Sequence, residues 1–251
     1  MLKTAILVCG VPRNFRYAST TFKTAFSQLD ADVFVHAWKF SEKSGIKVHK
    51  NIDKQPQEFS VQDLKDSFGA KYVAIDEQNK EIQGLLLGSQ EPYPNNVVCF
   101  HESINRCISL IEDVTAYDSF VMTRPDIFYK EKINLPLVSK GEIWTPRINN
   151  IHEGKHLLRR LKDSHKDSIC DIVYGGICVS KLEEMKMLAS FSNEYVKICN
   201  EEKYALSGKV DYFPDRALAI YLKNELGLSV KEFIFKHGIV RENNYVQDYC
   251  W

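Results

Sequence analysis

The sequence predicts an α/β protein built on a single open, mixed and mostly parallel sheet flanked by helices. Three observations carry that prediction. The chain starts with an unbroken apolar run, Thr4 to Cys9, ending at Gly10, the pattern of a strand buried on both faces. Phe22, Ala25, Phe26 and Leu29 then recur at helical spacing. A second run, Asp32-Val-Phe-Val-His36, closes a strand–helix–strand unit, the opening of an open sheet.

The remaining elements follow in order. Residues 40–59 are charged, carry no clean period and read as an excursion, after which Ser60-Val-Gln-Asp63 has capping-box spacing for a short helix. Lys71 to Ile75 makes another strand, and residues 76–96 are turn-rich, closing with Pro92-Tyr-Pro94-Asn-Asn96. A long helix is expected from Val97 to Ala116, with Phe100, Ile104, Cys107, Ile108, Ile111 and Val114 on its apolar face. Ser119 to Thr123 is the next buried strand, and Glu142-Ile-Trp144 a shorter one. Residues 149–168 are rich in His, Lys and Arg and read as a solvent-facing or mobile segment. Asp171 to Val179 is a strand interrupted by Gly175 and Gly176, and Ser180-Lys-Leu-Glu183 offers a second capping box for the helix that follows. The last helix runs from Pro214 to Leu226, with proline in its first turn and Gly227 at its end.

The 251 residues show no repeat, low-complexity tract or linker, so one domain spanning 1–251 is the simplest organisation. Lys plus Arg is 33 and Asp plus Glu is 33, a balance that argues against a nucleic-acid partner. No apolar stretch approaches the roughly 18 residues of a membrane span, so no transmembrane segment is expected. The seven cysteines lack metal-ligand spacing and sit largely in apolar runs, as free buried thiols do in a reducing compartment. The start, MLKTAILVCG, does not have the pattern of a secretory signal. The expected location is the cytoplasm, including the periphery of a membrane.

Ligands of open α/β sheets bind beyond the carboxyl ends of the strands, and three polar clusters fall there. In Gly10-Val-Pro-Arg13-Asn-Phe-Arg16, glycine allows close backbone approach to a ligand and Arg13 can grip a phosphate; a turn with solvated arginines is the alternative. The loop is neither a Walker A nor a GxGxxG motif. Strand alternation places Asp32, Phe34, His36 and Trp38 on one side, where His36 and Trp38 either line a pocket or pack as core. In Thr123-Arg124-Pro-Asp126, the carboxylate at a buried strand end either pairs with Arg124 structurally or coordinates a divalent cation on a diphosphate while Arg124 neutralises phosphate. Asp171, beside the glycine pair, is a candidate base or a backbone cap; Asp211 and Asp215 are explained as helix caps. His152, His156 and His165 do not form a zinc motif.

These clusters, in this order, resemble small nucleotide-sugar glycosyltransferases of GT-A type, the kind found in bacterial surface-polysaccharide loci and large DNA viruses. The resembling stretches are Ala5 to Arg13, Ala31 to Trp38, Tyr117 to Asp126, Asp171 to Gly176 and Phe213 to Leu218. The resemblance implies transfer of a sugar from a nucleoside diphosphate sugar to the hydroxyl of a glycan or glycolipid acceptor, by inversion with a carboxylate base, matched here by Asp171. Gly10, Arg13, His36 and Arg124 would then hold the donor. The family's Asp-any-Asp metal motif reads Arg124-Pro-Asp126 here, leaving Asp126 as its one carboxylate for Mn²⁺ or Mg²⁺. A nucleotidyltransferase, or a non-catalytic glycan- or nucleotide-binding module, is the alternative reading.

Overall fold

The computed structural model describes residues 2–39, 58–77, 93–147, 176–201, 214–240 and 246–248. The expectations for 40–57, for 149–168, and for Asp171, Asp211, Cys170 and Cys250 lie outside the described residues. Five helices and ten strands are labelled below in chain order.

The main sheet has seven strands in the order β3-β2-β1-β4-β7-β6-β8. Its members are β1 (Lys3–Gly10), β2 (Asp30–Lys39), β3 (Tyr72–Glu77), β4 (Ser119–Thr123), β6 (Glu142–Pro146), β7 (Ile177–Ser180) and β8 (Ser229–Phe233). Strands β3, β2, β1 and β4 run parallel; β7 alone is antiparallel to both neighbours, and β8 is parallel to β6. The architecture is therefore α/β with a mixed, mostly parallel sheet, generically GT-A-like. A feature absent from the sequence reading is a second sheet of three strands, β10-β9-β5, formed by Ile127–Tyr129 (β5), His237–Val240 (β9) and Val246–Asp248 (β10).

Alternation along the central strands sends side chains to two apolar layers. Ala5, Leu7, Cys9 and Phe34 face α3 (Tyr93–Ile108), α4 (Leu182–Asn200) and α5 (Pro214–Ala219). Ile6, Val8, Val35 and Ala37 face α1 (Phe15–Ala25), α2 (Val61–Phe68) and the small sheet. Near-complete burial of β1 on both sides accounts for its unbroken apolar run.

Several boundaries differ from expectation for identifiable reasons. Helix α3 starts in the residues read as a stiff connection, because proline is tolerated in a first turn where its missing N–H has no partner. It stops at Ile108, where Leu110 and Ile111 donate back to Cys107 and Ile108 in tight 3₁₀ fashion; a separate turn, Val114–Ala116, is capped by Asp113. The capping box at α2 forms: Asp63 N–H donates to Ser60 Oγ at 3.1 Å and Ser60 N–H to Asp63 Oδ2 at 2.8 Å. The one expected at α4 does not, because Ser180 is the last residue of β7 and Lys181 takes the cap position. Helix α5 continues as a π-helical turn over Ile220–Glu225 before Gly227 at φ 65°. The described cysteines, Cys9, Cys99, Cys107, Cys178 and Cys199, are all buried.

Candidate functional site

The order β3-β2-β1-β4 sends the chain to opposite sides of β1, so the crevice beyond the carboxyl ends of β1 and β4 is the topological switch point. Val8 lies beside Thr123, so the segments that follow, Gly10 to Asn14 and Arg124 to Asp126, leave from neighbouring strand ends. Because β7 is antiparallel it begins at the same edge, with Ile177 beside Thr123. Its predecessor, Asp171, lies outside the described residues, but the described chain re-enters the sheet at this rim.

Gly10 has φ 114°, a conformation side-chain-bearing residues rarely adopt. A Cβ at this position would lie 3.2 Å from the Phe100 ring of α3, so the vacant space is used by packing from below. Arg13 N–H donates to Val11 O around Pro12, and Asn14, at φ 47°, turns the chain into α1. Asn14 makes no side-chain cap, and the first turn of α1 itself carries no acidic residue. Arg13 is half-buried at this loop. Arg16 turns away towards α2, donating to Glu58 O and lying 3.4 Å from Asp63.

Arg124 to Ile127 form a turn in which Ile127 N–H donates to Arg124 O, with Pro125 at its second position. Arg124 grips Asp126 through two hydrogen bonds, Nε to Oδ1 at 2.9 Å and Nη2 to Oδ2 at 2.5 Å. The Asp126 side chain is 4% exposed and that of Arg124 30%, so the guanidinium presents to solvent and the carboxylate holds it from behind. Among the described residues no three His, Cys, Asp or Glu side chains converge into a metal-binding group. Both Asp126 oxygens accept from Arg124, and no second carboxylate joins them among the described residues, so the turn offers a divalent cation one carboxylate already paired with a cation and does not fit it.

His36 is wholly buried one layer below the rim. Its Nδ1 is 2.7 Å from Ser103 Oγ and its Nε2 3.0 Å from Asp76 Oδ2, so both ring nitrogens are engaged. Ser103 Oγ also accepts from Gly10 N–H at 2.9 Å, which joins His36 to the loop that carries Arg13. His36 thus reaches the rim through Ser103 and Asp76. Burial pushes the imidazole below its ordinary value, and Asp76 works against that shift. The Asp76 carboxyl is held below the usual range, first by its hydrogen bond to His36 and also by Arg106. Arg106 covers the Trp38 ring at 4.9 Å, and Trp38 Nε1–H donates to Cys99 O at 2.6 Å. Asp32, Phe34, His36 and Trp38 do share one face, that of α3, as alternation required.

No protein-family model matches the chain, and no curated protein aligns with it significantly. The architecture is of the Rossmannoid kind and compatible with a nucleotide-binding enzyme. No helix among the described residues is long and apolar enough to cross a membrane.

Sequence reading missed Ser103 and Asp76. Ser103 looks like a blemish on the apolar face of a helix, and Asp76 follows the last residue assigned to its strand. The available signal was the tether itself: a small polar residue on a buried helix face opposite a strand histidine needs a partner there.

Proposed function

We propose that this chain is a nucleotide-sugar-dependent glycosyltransferase. The observation that carries this reading is the switch-point rim: two arginine-bearing segments leave adjacent parallel strands, beside the N-terminus of α1, whose first turn carries no acidic residue. Such a rim suits a diphosphate, whose charges are met by guanidinium groups and backbone N–H donors.

In the proposed reaction an acceptor hydroxyl oxygen forms a bond to the anomeric carbon of the donor as the bond from that carbon to the diphosphate oxygen breaks. The hydroxyl proton passes to a carboxylate, for which Asp171 is the candidate, and the electron pair leaves with the nucleoside diphosphate. Stabilising that leaving charge is the task of Arg124 and Arg13. Asp126 is a positioning residue for the Arg124 guanidinium, and Ser103 and His36 position the Gly10 loop. Glycans or glycolipids are the proposed acceptors.

The test is donor hydrolysis across UDP- and GDP-sugars, with Mn²⁺ and with EDTA. The expected result is turnover of at least one donor that persists in EDTA. Absence of turnover on every donor contradicts the enzyme reading, and an absolute Mn²⁺ requirement contradicts the assignment of charge stabilisation to arginine.

A further inference from the structure

A stacked aromatic pair stands at the same rim, unused by the donor site. Tyr17, in the first turn of α1, lies on Phe128 of β5 with ring centroids 5.5 Å apart and planes 17° from parallel. Tyr17 is 37% exposed and Phe128 is partly exposed. Anchoring α1 to β5 does not account for the pair, because other contacts already supply that anchor. Tyr129 N–H donates to Thr21 Oγ1 at 2.9 Å, and Phe22 and Phe26 pack edge-on against Tyr129 from the buried side.

Among the described residues the pair is only partly covered, and it has a definite place. Alternation along β5 buries Ile127 and Tyr129 and turns Phe128 the other way. Its cross-strand neighbour on β9 is Gly238, which places no side chain beside the ring. Tyr17 lies three residues into the helix from Asn14, roughly 4.5 Å along its axis. Phe128 lies two residues beyond Asp126, about 7 Å of extended chain. Both rings are therefore about one sugar ring away from the two arginine-bearing segments.

We propose that Tyr17 and Phe128 form a platform for a pyranose ring of a neutral glycan. The apolar C–H face of the sugar covers the exposed aromatic surface, and the tyrosine hydroxyl offers a hydrogen bond at the edge. Naming this glycan as the acceptor rests on the sugar-transfer reading; the platform itself does not need it.

The test is saturation-transfer NMR on the full chain with maltose, cellobiose, lactose and chitobiose, in the absence of nucleotide. Wild type and Tyr17→Phe are expected to saturate the ring C–H protons of at least one disaccharide. Tyr17→Ala is expected to weaken that binding by about tenfold or more. Phe128→Leu, which keeps an apolar contact with α1, should weaken it in parallel at an unchanged thermal midpoint. No saturation of any disaccharide by wild type, or wild-type binding by Tyr17→Ala, overturns the platform. Donor hydrolysis on the same preparations reads the other proposal separately. Hydrolysis without Tyr17-dependent saccharide binding removes the platform and keeps the donor site, whereas Tyr17-dependent binding without hydrolysis does the reverse.

Discussion

The Ser103 hydroxyl has one proton and two acceptors in reach, His36 Nδ1 at 2.7 Å and His36 O at 3.1 Å, while Gly10 N–H donates to its oxygen. With neutral His36, Nε2–H donates to Asp76 and the serine proton goes to Nδ1. With protonated His36, Nδ1–H donates to Ser103, whose proton turns to the His36 carbonyl. Both states satisfy every group, and Gly10 keeps its acceptor in each. Ser103→Ala strands the buried Gly10 N–H and should cost about 1–3 kcal/mol in urea unfolding. A loss within about 0.5 kcal/mol would show that water or another group replaces the hydroxyl. Asp76 favours the charged imidazole, so Asp76→Asn should move the His36 titration to lower pH, read from imidazole proton shifts. An unmoved or raised titration would show that the pair does not form in solution.

The elements differ in how plainly the sequence announces them. Strands β1 and β4 are legible because burial on both faces demands a largely apolar run, and β2 because Val33 to Val35 and Ala37-Trp38 are apolar around His36. Helix α2 is legible because its cap is entirely local, and Ser60→Ala should cost about 1 kcal/mol by thermal or urea unfolding, since it removes the acceptor of Asp63 N–H. A change near zero would mean that the first turn is held from elsewhere. The α4 cap misleads for the opposite reason: Ser180 matches the pattern, but pairing with Phe120 across β7 and β4 takes priority over local capping. Strand β5 is three residues long and follows Pro125, and β8 is only partly buried, so neither carries a period that a window can detect. At the site, the Arg13 loop and the Arg124–Asp126 turn are legible as charges at strand ends. Their adjacency is not, because it depends on strand order, and the role of Asp126 behind Arg124 depends on burial that no spacing encodes.

Across the whole molecule, acid should act first on histidines. Burial pushes both His101 and His237 down to about 4 from an ordinary 6.5. Between those values the unfolded chain binds protons at these positions and the folded chain does not. Stability is therefore fully present above pH 6.5, declines as pH falls towards 4, and levels off below for these two groups. The urea midpoint should drop across that interval, and His101→Asn, which retains a side-chain N–H for Leu188 O, should make the drop shallower. An equally steep drop in the variant would contradict the assignment.

The organisation of the sheet brings two arginine-bearing segments to one edge, and calorimetric titration of UDP and GDP in EDTA tests most directly whether that edge takes a diphosphate. Wild type should bind at least one of them without a divalent cation. Arg124→Lys keeps a charge opposite Asp126 but loses the paired donors, and should weaken binding by about tenfold or more at a nearly constant thermal midpoint. Failure of both nucleotides to bind, or equal affinity in wild type and Arg124→Lys, would contradict a diphosphate site between β1 and β4.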